Sequence, residues 1–114
     1  MMYCEKFWRD CRKIVADTPT IKSDRQRKKN IYLLIKNQLN IYMKKAEEDN
    51  LKNSVGKTYV RPSEDMIRLH TMGALVRWSP EFMGTWTSEE YGRHIINVVG
   101  AYHDSWPENS TLTK

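Results

Sequence analysis

The chain is poor in the residues that announce chemistry. Cys4 and Cys11 are the only cysteines in 114 residues. Seven positions apart on a helix, they share a face but stand about 10 Å apart along the axis, beyond disulfide reach. Both are expected to be reduced core residues, which suits an intracellular (cytoplasmic), reducing compartment. No Cys/His spacing suits zinc, and no serine or cysteine has a general base beside it in sequence. No apolar run approaches the roughly 20 residues that a bilayer span needs, so no membrane association is expected. The opening MMYCEKFWRDCRKIV is charged throughout, unlike a secretory leader. Without a secretion route the Asn109-Ser110-Thr111 sequon is expected to be idle. The VGKT that starts at Val55 lacks the upstream glycine and the preceding strand of a phosphate loop. These absences argue against a disulfide scaffold, a membrane span, a zinc module and a phosphate-loop enzyme.

What is present fits one small helical domain. A chain this long buries about two-thirds of its unfolded surface, enough for a core without metal or disulfide staples. With 39% hydrophobic and 11% aromatic residues it is too apolar for a disordered chain, yet lean enough to leave room for a partner. There is no internal repeat and no low-complexity tract. Four helical segments are separated by clusters of Pro, Gly, Ser and Asn. The predicted architecture is all-α, a single bundle of about four helices over 1–106 with an over-long second helix, followed by a polar tail over 107–114.

The first helix is predicted over 2–16, with Tyr3, Cys4, Phe7, Cys11, Ile14 and Val15 on one stripe. Pro19 stops it. The second is predicted over 24–50, opened by Ser23 and Gln26 as a capping box. At about 100° per residue, Ile31, Leu34, Ile35, Leu39, Tyr42, Met43 and Ala46 share a broad face and Lys29, Lys36, Asn40 and Lys44 the other. Such a helix approaches 40 Å at ~1.5 Å per residue, longer than so small a domain needs. The third, predicted over 63–78, has Met66, Ile67, Leu69, Met72, Ala74, Leu75, Val76 and Trp78 nearly all round, the pattern of a central buried helix. The fourth, predicted over 88–106, opens on a Thr87/Glu90 capping box. Its stripe is Tyr91, Ile95, Val98, Val99, Tyr102 and Trp106.

Charge is unevenly placed. Residues 1–57 hold 14 Lys/Arg against 7 Asp/Glu, net +7; residues 58–114 hold 5 against 7, net −2. A basic half of this kind suits a polyanion, which is bound with release of its counterions. The sharpest feature is the start of the second helix, where Arg25, Arg27, Lys28 and Lys29 occupy four of five positions. Cations at a helix N-terminus oppose the dipole. Arg27 and Lys28 also project onto the core side, although charges are rarely buried without partners. The expectation is therefore a solvated, phosphate-facing turn, with Lys36 and Lys44 continuing it as a nucleic-acid or partner-binding face. No pair of helices has the tight turn of a helix-turn-helix, so backbone contact is expected rather than base readout.

Enzymatic constellations are incomplete. His103-Asp104 with His70 faintly resembles the metal-dependent HD phosphohydrolases. That resemblance implies a His/His-Asp/Asp metal site, but no later aspartate is present to close it. Helical nucleotide pyrophosphohydrolases need carboxylates along facing helices. Here Glu47, Glu48, Asp49, Glu64, Asp65, Glu89 and Glu90 fall at predicted helix ends. Neither a catalytic residue nor a cofactor or metal is assigned. One further feature remains, the aromatic and Met cluster Trp78, Phe82, Met83 and Trp86 in a predicted loop. It is either a lid on the core or a partner-docking anchor.

The resulting expectation is a small, non-enzymatic binding protein that docks through its basic helical face on nucleic acid or on a nucleic-acid-handling assembly. The alternative is a protein-only adaptor or inhibitor acting through the loop aromatics, such as phages, mobile elements or large complexes employ.

Overall fold

Each predicted period becomes a helix. The structure, a computed structural model, describes residues 3–19, 23–56, 60–76 and 84–106. They form α1 (Tyr3–Asp17), α2 (Asp24–Lys52), α3 (Glu64–Leu75) and α4 (Ser88–Ser105), with no strand among the described residues. The predicted polar tail and the loop residues Trp78, Phe82 and Met83 lie outside the described residues.

Hydroxyl caps set the starts. The side chains of Ser23, Ser63 and Thr87 accept from the amides of Gln26, Met66 and Glu90. Only the last is a full capping box, because Glu90 returns a bond to the Thr87 amide at 3.0 Å. The predicted box at Ser23 is half formed. Gln26 directs its side-chain amide forward to Asn30 Oδ1 instead, a contact between helix neighbours four apart. α3 is shorter than predicted and ends at Leu75, with the Val76 amide bonded to the Gly73 carbonyl.

The core draws on all four helices. Cys4, Phe7 and Cys11 of α1 meet Ile31, Ile35 and Ala46 of α2, Leu69 and Met72 of α3 with Val76 beyond it, and Tyr91, Ile95 and Val99 of α4. Burial raises the thiol of Cys4 to about 11 and that of Cys11 to about 12, which favours the protonated form of both. Two glycines of α4 let α1 come close. A Cβ on Gly92 would stand 2.6 Å from Val15, and one on Gly100 would stand 2.8 Å from Trp8. Two expectations fail. Leu34, assigned to the core stripe of α2, is half exposed, because it sits at the edge of that broad face. α3 is not a buried central helix, since Ile67 and Ala74 are exposed. Its apolar residues encircle it, but only the side carrying Leu69 and Met72 meets the other helices.

Polar ties between helices fix the geometry. Asp65, in the first turn of α3, accepts from the amides of Tyr3 at 2.7 Å and Cys4 at 3.0 Å and so caps α1 from outside. Asp10 accepts from Gln38 Nε2 and Tyr42 Oη at 2.7 and 2.6 Å, which locks α1 alongside α2. Arg68, buried, stacks its guanidinium 3.8 Å from the centre of the Trp106 ring, with the Glu64 carboxylate 3.7 Å away.

Candidate nucleic-acid interface

The cationic start of α2 divides into two populations. Lys28 follows the core side of the helix and is 1% exposed. Its ammonium donates to the Trp86 carbonyl at 2.6 Å. Arg27 is half-buried and reaches past the end of α1, donating to the carbonyls of Thr18 at 3.0 Å and Val15 at 2.9 Å. Those carbonyls lie at the C-terminus of a helix, where acceptors are orphaned and the dipole is negative. The expectation that all four cations are solvated is thus wrong for Lys28 and only half met by Arg27. Their counterparts are backbone carbonyls supplied by other elements, which a search for nearby acids cannot find.

The same turn holds α4. Asp24 accepts from both the amide and the hydroxyl of Ser88, at 2.9 and 2.8 Å. These bonds, the amide first, hold the Asp24 carboxyl below its usual range. One turn of α2 therefore joins the end of α1, the start of α4 and the Trp86 backbone. A basic turn at a helix N-terminus, unfavourable by local chemistry, is explained in part by this tertiary role.

Arg25 and Lys29 are exposed, and so are Lys36, Lys44 and Lys45 farther along α2. Lys36 lies 5.8 Å from the centre of the Tyr32 ring and Lys45 5.8 Å from that of Tyr42. Between residues 25 and 46 the sequence carries seven cations and no acid. Arg25, Lys29 and Lys36 follow one side of the helix at steps of four and seven, so the structure sets three of the six predicted residues in a line. Lys44 stands about 80° round from that line at about 100° per residue.

Trp86 is half-buried and packs on the core. Its indole meets the His94 ring edge-on, with centroids 4.8 Å apart. Burial lowers the His94 pKa below its ordinary value, which favours the neutral imidazole. His103 stacks on Trp8 at 6.1 Å and bonds through Nδ1 to Asp104 at 3.0 Å, while His70 is exposed on α3. Among the described residues there is no group of three or more His, Cys, Asp or Glu side chains able to hold a metal ion, and no helix long and apolar enough to cross a membrane.

Sequence reasoning missed Asp24, Asp65 and Arg68. The partners of both aspartates lie more than 60 residues away, and no local spacing signals them. No family model, curated protein or solved structure matches this chain.

Proposed function

We propose that the protein is a non-enzymatic binding protein that lies along the phosphate backbone of a nucleic acid with the outer basic side of α2. The observation that supports this reading is the surplus left after the fold has taken its share. Of seven cations between residues 25 and 46, Arg27 and Lys28 serve the bundle, while Arg25, Lys29, Lys36, Lys44 and Lys45 remain exposed with no acid among them. Arg25 and Lys29, four apart on one side of the helix, repel each other, a cost that a polyanion reverses. Backbone contact fits a chain whose sequence offers no tight helix-turn-helix turn to set a recognition helix in a groove.

The test is a salt titration of binding to a mixed-sequence duplex and to a single strand of equal length. The fourfold Arg25→Gln, Lys29→Gln, Lys36→Gln, Lys44→Gln variant is compared with the native chain. The slope of log affinity against log salt should shrink by about 0.7–0.9 for each phosphate that the variant no longer neutralises. A slope that the substitutions leave unchanged overturns the reading. So does the absence of binding to either probe, which would leave a protein-only adaptor as the role of this surface.

A further inference from the structure

α2 has a second apolar face. Leu33, Leu34, Ile41 and Leu51 are all exposed, at 49%, 49%, 40% and 53%. At about 100° per residue they fall within an arc of roughly 100°, turned away from the core stripe of Ile31 and Ile35. Asn30, Asn37, Lys44 and Glu48 share that arc with them. Residues 30, 34, 37, 41, 44, 48 and 51 recur in steps of four and three, the spacing by which one helix lies along another. Beside this seam, Ile14 of α1 with Leu33 and Leu34 lines an open groove of about 480 Å³. Its rim carries both signs, Lys13 and Asp17, which suits an occupant of mixed charge rather than a polyanion.

We infer that this face is covered by a second copy of the chain, α2 lying antiparallel on α2. The argument is one of coincident centres. In an antiparallel pair related by a two-fold axis, residues i and j meet when their midpoint lies on the axis. Leu34 and Ile41 have their midpoint at 37.5; Lys29 and Glu47 have theirs at 38. One placement therefore sets leucine on isoleucine twice and lysine beside glutamate twice, with Asn37 near the axis. Glu47 and Glu48 are exposed in the last turns of α2, and Arg25 and Lys29 in the first. A parallel pair would set each of these charges against its own copy. The two-fold also brings the Lys36 sides of both helices onto one surface. The length of α2 gains a reason here, because a helix with an apolar stripe on each of two sides serves the bundle with one and a partner with the other.

The experiment uses the full chain. Sedimentation equilibrium over a wide concentration range should show a monomer–dimer equilibrium, and Leu34→Asp should weaken it more than about tenfold by setting unpaired carboxylates in the contact. Ile41→Asp should do the same, with the helical circular dichroism of both variants unchanged. Lys29→Glu and Glu47→Lys should each weaken the dimer, and the two together should restore it. Asn37→Cys, near the axis, should cross-link to its own copy on mild oxidation, while Lys44→Cys should not; Cys4 and Cys11 are buried and stay silent. A monomer at every concentration up to the solubility limit overturns the inference. So does a dimer that neither aspartate weakens, a charge swap that fails to restore, or equal cross-linking from the two cysteine variants.

Discussion

Arg27 and Lys28 sit between Arg25 and Lys29, and the two pairs have opposite fates. The inner pair points toward α1 and α4 and is taken up by main-chain carbonyls, Val15 and Thr18 for one and Trp86 for the other. The outer pair points to solvent. All four are cations in one run, so composition and local propensity do not separate them. Helical phase separates them, together with whether an orphaned carbonyl lies within reach. The difference teaches that a charge run is not one feature. Part of it can be architecture while the rest is free to bind.

The largest effect that would break this division is at Lys28. Lys28→Ala removes a buried side chain and leaves the Trp86 carbonyl without that donor, and should cost about 2–4 kcal/mol in urea unfolding. Lys28→Met keeps the aliphatic stem and isolates the hydrogen-bonded part of the loss. A Lys28→Ala variant as stable as the native chain would place Lys28 with the outer pair.

Arg27→Ala should cost less, about 1–2 kcal/mol, because the side chain is only half-buried and water can reach the freed carbonyls at the end of α1. Hydrogen exchange should rise locally, in the last turn of α1 and the first of α2. A uniform rise across the bundle would instead assign Arg27 to the global core.

The pH dependence comes next. Hydrogen bonds from Ser88 hold Asp24 below its usual value, and those from Thr87 do the same for Glu90. Both carboxylates are lowered in the folded state, so their contribution is fully present above the ordinary carboxylate range and is lost as pH falls through the folded values, below about pH 4. Thermal melts from neutral to acid pH should show that loss, and Asp24→Asn should flatten it. An unchanged acid profile in Asp24→Asn would mean that the tie between α2 and α4 carries no weight.

The smallest effect belongs to the outer pair. Arg25→Gln and Lys29→Gln should each shift the stability of the bundle by less than about 0.5 kcal/mol, and Arg25→Gln in the favourable direction, since it removes a cation from the positive end of α2. A loss as large as that of Arg27→Ala would erase the distinction.

The helices were readable because each carries its own signals. Ser23, Ser63 and Thr87 mark three starts as expected. The buried positions of α1 and α4 follow one clean stripe apiece. α2 was harder to read. It bears apolar residues on two sides, so periodicity assigned Leu34 to the core when it belongs to the edge of the outer face. α3 misled for the same reason, with Ile67 exposed on a helix apolar nearly all round. Of the candidate site, Lys29, Lys36 and Lys44 are exposed on the side where the wheel put them, and Arg25 is exposed as expected of the cationic turn.

The sequence by itself determined the class of fold, the approximate span of four helices and the concentration of positive charge on the second, since these depend on residues within a turn or two of each other. Tertiary structure decided which cations remain exposed. Lys28 is buried because a carbonyl 58 positions away accepts its hydrogen bond, and Asp24 is a cap for a helix that begins 64 positions later. A buried charge needs an acceptor to offset its lost hydration. Only the packing of four helices brings that acceptor to 2.6 Å, and no local pattern encodes where it comes from.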